Sequence, residues 1–169
     1  DNKNKTDKGL LGNEKIEEAV AALQQETTQE MLAHTLTVIR RRMREAGQLI
    51  VAVEPSMGDN NLNIQSVKTD DGKCWWMAFT SFDEELKGSG SVMSTFMADI
   101  EKMFESAINA EGIEGIIINP WNRTIMLDKE LIRIVPDNPS EEDLTNKDRN
   151  YKSMNLVPAA VKKEPKIEK

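Results

Sequence analysis

The chain contains one histidine and one cysteine, so the side chains that most often carry nucleophilic, general-base and metal chemistry each stand alone. His34 falls midway along a helix-periodic stretch with no Cys or second His at ligand spacing, and reads as a surface or boundary helix position. Cys74 by itself allows no internal disulfide and offers no metal cluster. Asp70 and Asp71 precede Gly72 in a turn, where their carboxylates serve backbone geometry. Gly88-Ser89-Gly90-Ser91 lacks the preceding strand and the following Lys-Ser/Thr of a phosphate-cradling loop, and reads as a linker. No residue set supplies a nucleophile with its base, a metal shell or a phosphate loop, so recognition is expected rather than turnover, with no cofactor.

The residues that folding alone explains least are Phe79, Thr80, Ser81, Asn119, Pro120 and Trp121. Each triplet ends an apolar strand, and if the two strands are neighbours the triplets cluster at one edge of a sheet. Ligands in open α/β sheets favour the carboxyl ends of strands. The plainer reading is that Ser81 and Asn119 tie turns and helix caps together. Trp75 and Trp76 are adjacent on one strand and must face opposite sides. One serves the core; the other meets a covering helix, a tail or a partner, and Trp76 joins the candidate binding set on that ground. Arg40, Arg41, Arg42 and Arg44 form either an anion or nucleic-acid patch or, more simply, cations at the negative end of a helix dipole.

These residues need a scaffold, and the apolar periodicity outlines one. Asn13–Gln25 spaces Ile16, Val20 and Leu23 as a short amphipathic helix. Thr27 and Glu30 suggest a capping box for a second helix striped by Leu32, Leu36, Ile39 and Met43, with Gly47 ending it in the left-handed conformation. Gln48–Val53 is nearly all apolar, as a central strand covered on both faces should be. Strands near Leu62–Ser66 and Lys73–Phe79 flank an Asp-Gly hairpin turn. Ser81 and Glu84 start a short helix. Ser94–Asn109 reads as the best helix, with Phe96, Met97, Ile100, Met103, Phe104, Ala107 and Ile108 on one face. Short strands follow at Gly115–Asn119 and Thr124–Leu127, and Asp128 caps a last helix that Pro136 stops. The expected fold is α/β (α+β): a single small mixed sheet of about five strands packed by helices.

Composition places this domain at residues 13–136. Residues 1–12 and 137–169 are rich in charged residues, Asn and Pro and lack an apolar period, so they are expected to be disordered tails. The net charge of −7 is concentrated in the body, which argues against a nucleic-acid footprint. No apolar run approaches the ~18–20 residues of a membrane span, no signal peptide is visible, and cytoplasmic is the simplest location.

Taken in order, Pro55, Asp71-Gly72, Ala78-Phe79-Thr80-Ser81, Gly112, Gly115 and Asn119-Pro120 form a pattern over about Thr27–Ile134. It resembles the N-terminal domain of the SseB family, the bacterial "enhanced serine sensitivity" proteins. The resemblance implies a helical lead-in, a strand ending in Pro, the hairpin, a helix, the Asn-Pro strand and a closing helix. The family's second, C-terminal domain has no counterpart here; a mixed-charge tail follows instead. The family has no agreed activity. The implied role is a non-enzymatic protein-interaction or regulatory module. Two alternatives stand beside it: a small-molecule-binding domain or enzyme using the Ser81/Asn119 edge, and a secretion-associated component, the last by family label only.

Overall fold

The computed structural model describes residues 8–55, 62–89 and 94–137. Helices α1 (Glu14–Gln25) and α2 (Gln29–Arg44) precede strand β1 (Gln48–Pro55). Strands β2 (Leu62–Ile64), β3 (Ser66–Lys68) and β4 (Cys74–Ala78) follow, then helix α3 (Phe82–Ser89). Strand β5 (Ser94–Asp99) runs into helix α4 (Ile100–Asn109), and β6 (Gly115–Ile118), β7 (Ile125–Asp128) and α5 (Lys129–Ile134) complete the domain. The fold is α+β. The linker expected from Gly88 to Ser91 splits: Gly88 and Ser89 close α3, and residues 90 and 91 lie outside the described residues.

The strands form two sheets rather than one sheet of about five strands, ordered β2-β1-β5 and β3-β4-β6-β7. They are stitched together because β2 and β3 are one strand broken at Gln65. The Gln65 N–H donates to the Ala52 carbonyl of the first sheet (2.8 Å), and its carbonyl accepts from the Met77 N–H of the second (3.1 Å). Ile50 and Phe79 then exchange both backbone hydrogen bonds, at 2.8 and 2.9 Å. Every pairing is antiparallel except β4 with β6.

Strand β1 is apolar because both its faces are covered: Leu49, Ile50, Val51, Ala52 and Val53 are all buried. Alternation sends Leu49, Val51 and Val53 into the large core beneath α1, α2, α4 and α5, along with Ala78, Ile116, Ile118 and Leu127. It sends Ile50 into a smaller core on the opposite face with Val67, Trp75, Met77, Phe79 and Ile117. Each fully buried aliphatic or aromatic side chain contributes ~1.5–3 kcal/mol. The tryptophans divide as alternation requires. Trp75 is buried in the smaller core, and Trp76 packs half-buried against the larger one.

Residues Ser94–Asp99 are the main departure from the sequence pattern, since they pair with β1 from Val53 through Gln48 instead of continuing the helix. Without them β1 would leave a buried apolar strand with an unsatisfied backbone edge, a cost that outweighs helix propensity. Phe96 and Met97 therefore point to opposite faces. Met97 packs on the smaller core, whereas Phe96 is 42% exposed. From Ile100 onward the stripe is helical, and Ile100, Met103, Phe104 and Ala107 are buried.

Two turn assignments also shift by one residue. Thr28 caps α2, accepting from the Met31 N–H at 3.1 Å, while the Thr27 hydroxyl donates to the Leu23 carbonyl. At the other end Ala46 takes the left-handed conformation (φ 63°). Gly47 is required there by proximity, because a Cβ would lie 2.6 Å from the Arg42 carbonyl oxygen. The hairpin turn forms as its Asp-Gly pair dictates: Gly72 has φ 86°, and Asp71 Oδ1 accepts from the Thr69 hydroxyl and the Lys73 N–H. The Thr69 hydroxyl bond, then the Lys73 amide, holds the Asp71 carboxyl below its ordinary range.

The folded part begins before Asn13. Lys8–Leu10 form a 3-10 turn, the Gly9 carbonyl accepts from Arg42, and Leu10 packs on the smaller core. Residues 1–7 and 138–169, the remainder of the expected tails, lie outside the described residues.

Candidate functional site at the strand ends

Parallel pairing of β4 and β6, with Ala78 opposite Ile118, brings Phe79-Thr80-Ser81 beside Asn119-Pro120-Trp121. Asn119 organises the junction. It leaves β6 in the left-handed conformation (φ 56°), which Asn tolerates better than most residues. Its N–H donates to the Ala78 carbonyl (2.8 Å) and its Oδ1 accepts from the Thr80 N–H (3.0 Å). Its Nδ2 donates to Thr80 Oγ1 (2.9 Å), and its carbonyl accepts from the Thr124 hydroxyl.

Thr80 passes the network onward. Its hydroxyl donates to Glu17 Oε2 on α1, and its carbonyl accepts from Asn13 Nδ2 at 3.1 Å. Asn13 Nδ2 also donates to the Gln48 carbonyl (2.8 Å), while Asn13 Oδ1 accepts from Arg42 Nε (2.9 Å). Arg42 spends its other nitrogens on the Gly9 carbonyl (2.8 Å) and on Glu45 (3.0 Å). A buried polar chain thus locks the ends of β4 and β6 to α1, α2 and the N-terminal turn. Arg42 is neither an anion site nor only a dipole partner: it is buried and satisfied, with Asn13, Glu17 and Glu45 around this chain. Arg40, also buried, has no hydrogen-bond partner at Nε or Nη1.

The candidate residues divide by this geometry. Phe79, Thr80, Asn119 and Pro120 are buried. Ser81 is half-buried, and its Oγ accepts from the Glu84 N–H (3.2 Å) as the cap of α3. Trp121 packs half-buried on the smaller core. Trp76 stands apart on β4, facing the larger core.

What opens to solvent is a cleft of about 420 Å³ between the N-terminal turn, α1 and the start of α3. Thr80, Ser81, Phe82 and Asp83 form one wall; Leu10, Leu11, Asn13, Glu14 and Glu17 form the other. Asn119, Pro120 and Trp121 do not line it. Leu11 is 68% exposed, an apolar side chain standing over acidic neighbours. Of its lining, only Thr80 and Ser81 were among the sequence candidates; Leu10, Leu11, Asn13, Glu14, Glu17, Phe82 and Asp83 were missed. The signal for the N-terminal members was a segment carrying Leu10-Leu11 inside an otherwise polar tail.

Behind the cleft, α3 buries two carboxylates. Glu84 Oε2 accepts from Lys87 (2.9 Å) and Asn122 (3.1 Å), while its Oε1 is buried without a partner. Burial raises the Glu85 carboxyl above its ordinary value of 4.5. Because the folded state prefers protonated Glu85, its contribution to stability is complete below pH 4.5 and is lost as pH rises through the raised value. Glu85→Gln is therefore expected to melt above the wild type at pH 7, with the gap closing by about pH 4. Thermal melts at the two pH values check this, and an equal gap at both would contradict it.

Among the described residues, no group of three His, Cys, Asp or Glu side chains could hold a metal ion, and no helix is long and apolar enough to cross a membrane. Comparison with family models, curated proteins and solved structures finds no match.

Proposed function

We propose that this chain is an SseB-like, non-enzymatic protein-binding module that takes a polypeptide segment into the cleft at Ser81–Asp83. The observation that carries the reading is the cleft itself. It opens at the carboxyl end of β4, where the polar chain from Asn119 to Arg42 holds its walls in place. Its accessible chemistry is apolar at Leu10, Leu11 and Phe82 and acidic at Glu14, Glu17 and Asp83. A segment presenting one apolar side chain beside Lys or Arg suits that lining, and the chain's net charge of −7 favours such a partner over nucleic acid.

Turnover at the Ser81/Asn119 edge has less support. Both polar atoms of the Asn119 side chain bond Thr80, Ser81 Oγ caps α3, and His34, the sole histidine, is an exposed residue of α2. The binding reading is tested with a photo-crosslinker at Leu11 and, separately, at exposed Lys102 on α4. The Leu11 probe should capture the partner that wild-type protein retains from the native cell, and the Lys102 probe should not. Phe82→Asp should weaken that binding by roughly tenfold or more, equivalent to ~1.4 kcal/mol, and rising salt should weaken it further. Equal capture by both probes would remove the cleft from consideration.

A further inference from the structure

The outer edge of β5 has no partner among the described residues, since β1 occupies its other side. Alternation identifies which backbone groups face outward. The Ile100 N–H donates to the Gly47 carbonyl (3.0 Å), so Ile100, Ala98 and Phe96 turn their backbone groups toward β1. Asp99, Met97 and Thr95 turn theirs away. The partner strand agrees: Ile50 and Ala52, opposite Met97 and Thr95, spend backbone groups on Phe79 and Gln65 at the far side of β1. The edge thus presents the N–H and C=O groups of Thr95 and Met97 and the N–H of Asp99, whose carbonyl also starts the hydrogen-bond ladder of α4 as its N-cap.

Folded proteins blunt such edges with Pro, Lys, bulges or very short strands. Strand β5 (STFMAD) has no Pro or Lys, its register with β1 is unbroken, and its one charge sits at its end. It also carries Phe96, which is 42% exposed and, among the described residues, one of three exposed large apolar side chains.

We propose that β5 pairs with β5 of a second copy of this chain, antiparallel about a two-fold axis at Met97. The strand is self-complementary in that register. Met97 faces the partner's Met97, and Thr95 faces the partner's Asp99, so all three outward-facing residues are paired. Phe96 falls opposite the partner's Ala98 on the same face, a large side chain against a small one. The register centred on Asp99 would place the two Asp99 carboxylates against each other, which like charges disfavour. The net charge of −7 on each copy opposes association, so added salt strengthens this dimer, the reverse of its effect on a basic segment in the cleft.

The test is sedimentation equilibrium of the full chain from low micromolar to near millimolar concentration, with hydrogen exchange at the same points. A concentration-dependent dimer is expected, with the Thr95, Met97 and Asp99 amides becoming protected as it forms. Thr95→Pro removes an outward donor without taking a hydrogen bond from β1. Phe96→Lys places a charge on the edge. Each should weaken dimerisation by roughly tenfold or more while far-UV circular dichroism is retained. If Thr95→Pro fails to fold, Phe96→Lys decides. The proposal is overturned by a chain monomeric throughout, by a dimer that survives the variants, or by a monomer whose three amides are protected at every concentration. The last result would mean that the chain covers its own edge.

Discussion

Asn119→Ala is expected to lower the unfolding free energy by roughly 3–6 kcal/mol, a large share of the ~5–15 kcal/mol available to a domain. Two separate losses add up to this. Alanine at φ 56° costs ~1–2 kcal/mol that asparagine partly avoids. Removing the amide also strips the Thr80 N–H of its acceptor, in a position only 1% exposed, and takes one of two partners from the Thr80 hydroxyl, which keeps Glu17. The orphaned N–H costs ~1–3 kcal/mol and the second lost bond ~0.5–1.5 kcal/mol. Asn119→Gly separates the terms, since glycine accepts the backbone angle but restores neither bond, so it should recover only about 1 kcal/mol. Urea unfolding of the three proteins, with unchanged m-values, makes the comparison. A loss below ~1 kcal/mol for the alanine variant would mean that the strand ends hold without this network.

Phe104→Ala is expected to cost ~3–5 kcal/mol, as truncation of a buried aromatic does. Phe104 is 2% exposed on α4, in the large core with Ile100, Met103 and Ala107. Phe96→Ala, measured on dilute protein, should cost less than ~1 kcal/mol, because Phe96 is already 42% exposed at the edge of β5. If Ser94–Asn109 were one continuous helix, both phenylalanines would share its buried stripe and the two losses would be alike. The contrast between them therefore reads out where the strand gives way to the helix.

That boundary marks the limit of what periodicity could reveal. From Ile100 to Asn109 the apolar residues recur at helical spacing and the chain is helical. Ser94–Asp99 carries apolar residues compatible with either period. The choice was made by β1, whose edge needed a partner and lies far away in sequence. The single expected sheet divided in two for a similar reason, because Gln65 serves one sheet with its N–H and the other with its carbonyl. The capping positions moved by one residue because Thr27 and Thr28 are equivalent in type, and only the arriving helix selects between them.

The candidate edge was legible in part. Two apolar strands ending in Phe79-Thr80-Ser81 and Asn119-Pro120-Trp121 do lie side by side, since β4 and β6 pair in parallel. Which of those residues face solvent was not legible. Asn119 and Thr80 turned inward to satisfy each other, and the N-terminal turn and α1 supplied Leu11 and Glu17 to the open cleft in place of Trp121.

Local chemistry alone determined the α+β class, the buried run Leu49–Val53 of β1, the Asp-Gly hairpin, the opposed tryptophans and the aromatic anchor at Phe104. Each rests on the period of the chain or on the turn preference of one or two residues, which neighbours in sequence suffice to express. Tertiary structure decided the role of Arg42, the strand at Ser94–Asp99, the split of the sheets and the walls of the cleft. Those depend on which buried donor meets which acceptor across dozens of residues, and burial penalises every unpaired group until the whole chain is in place.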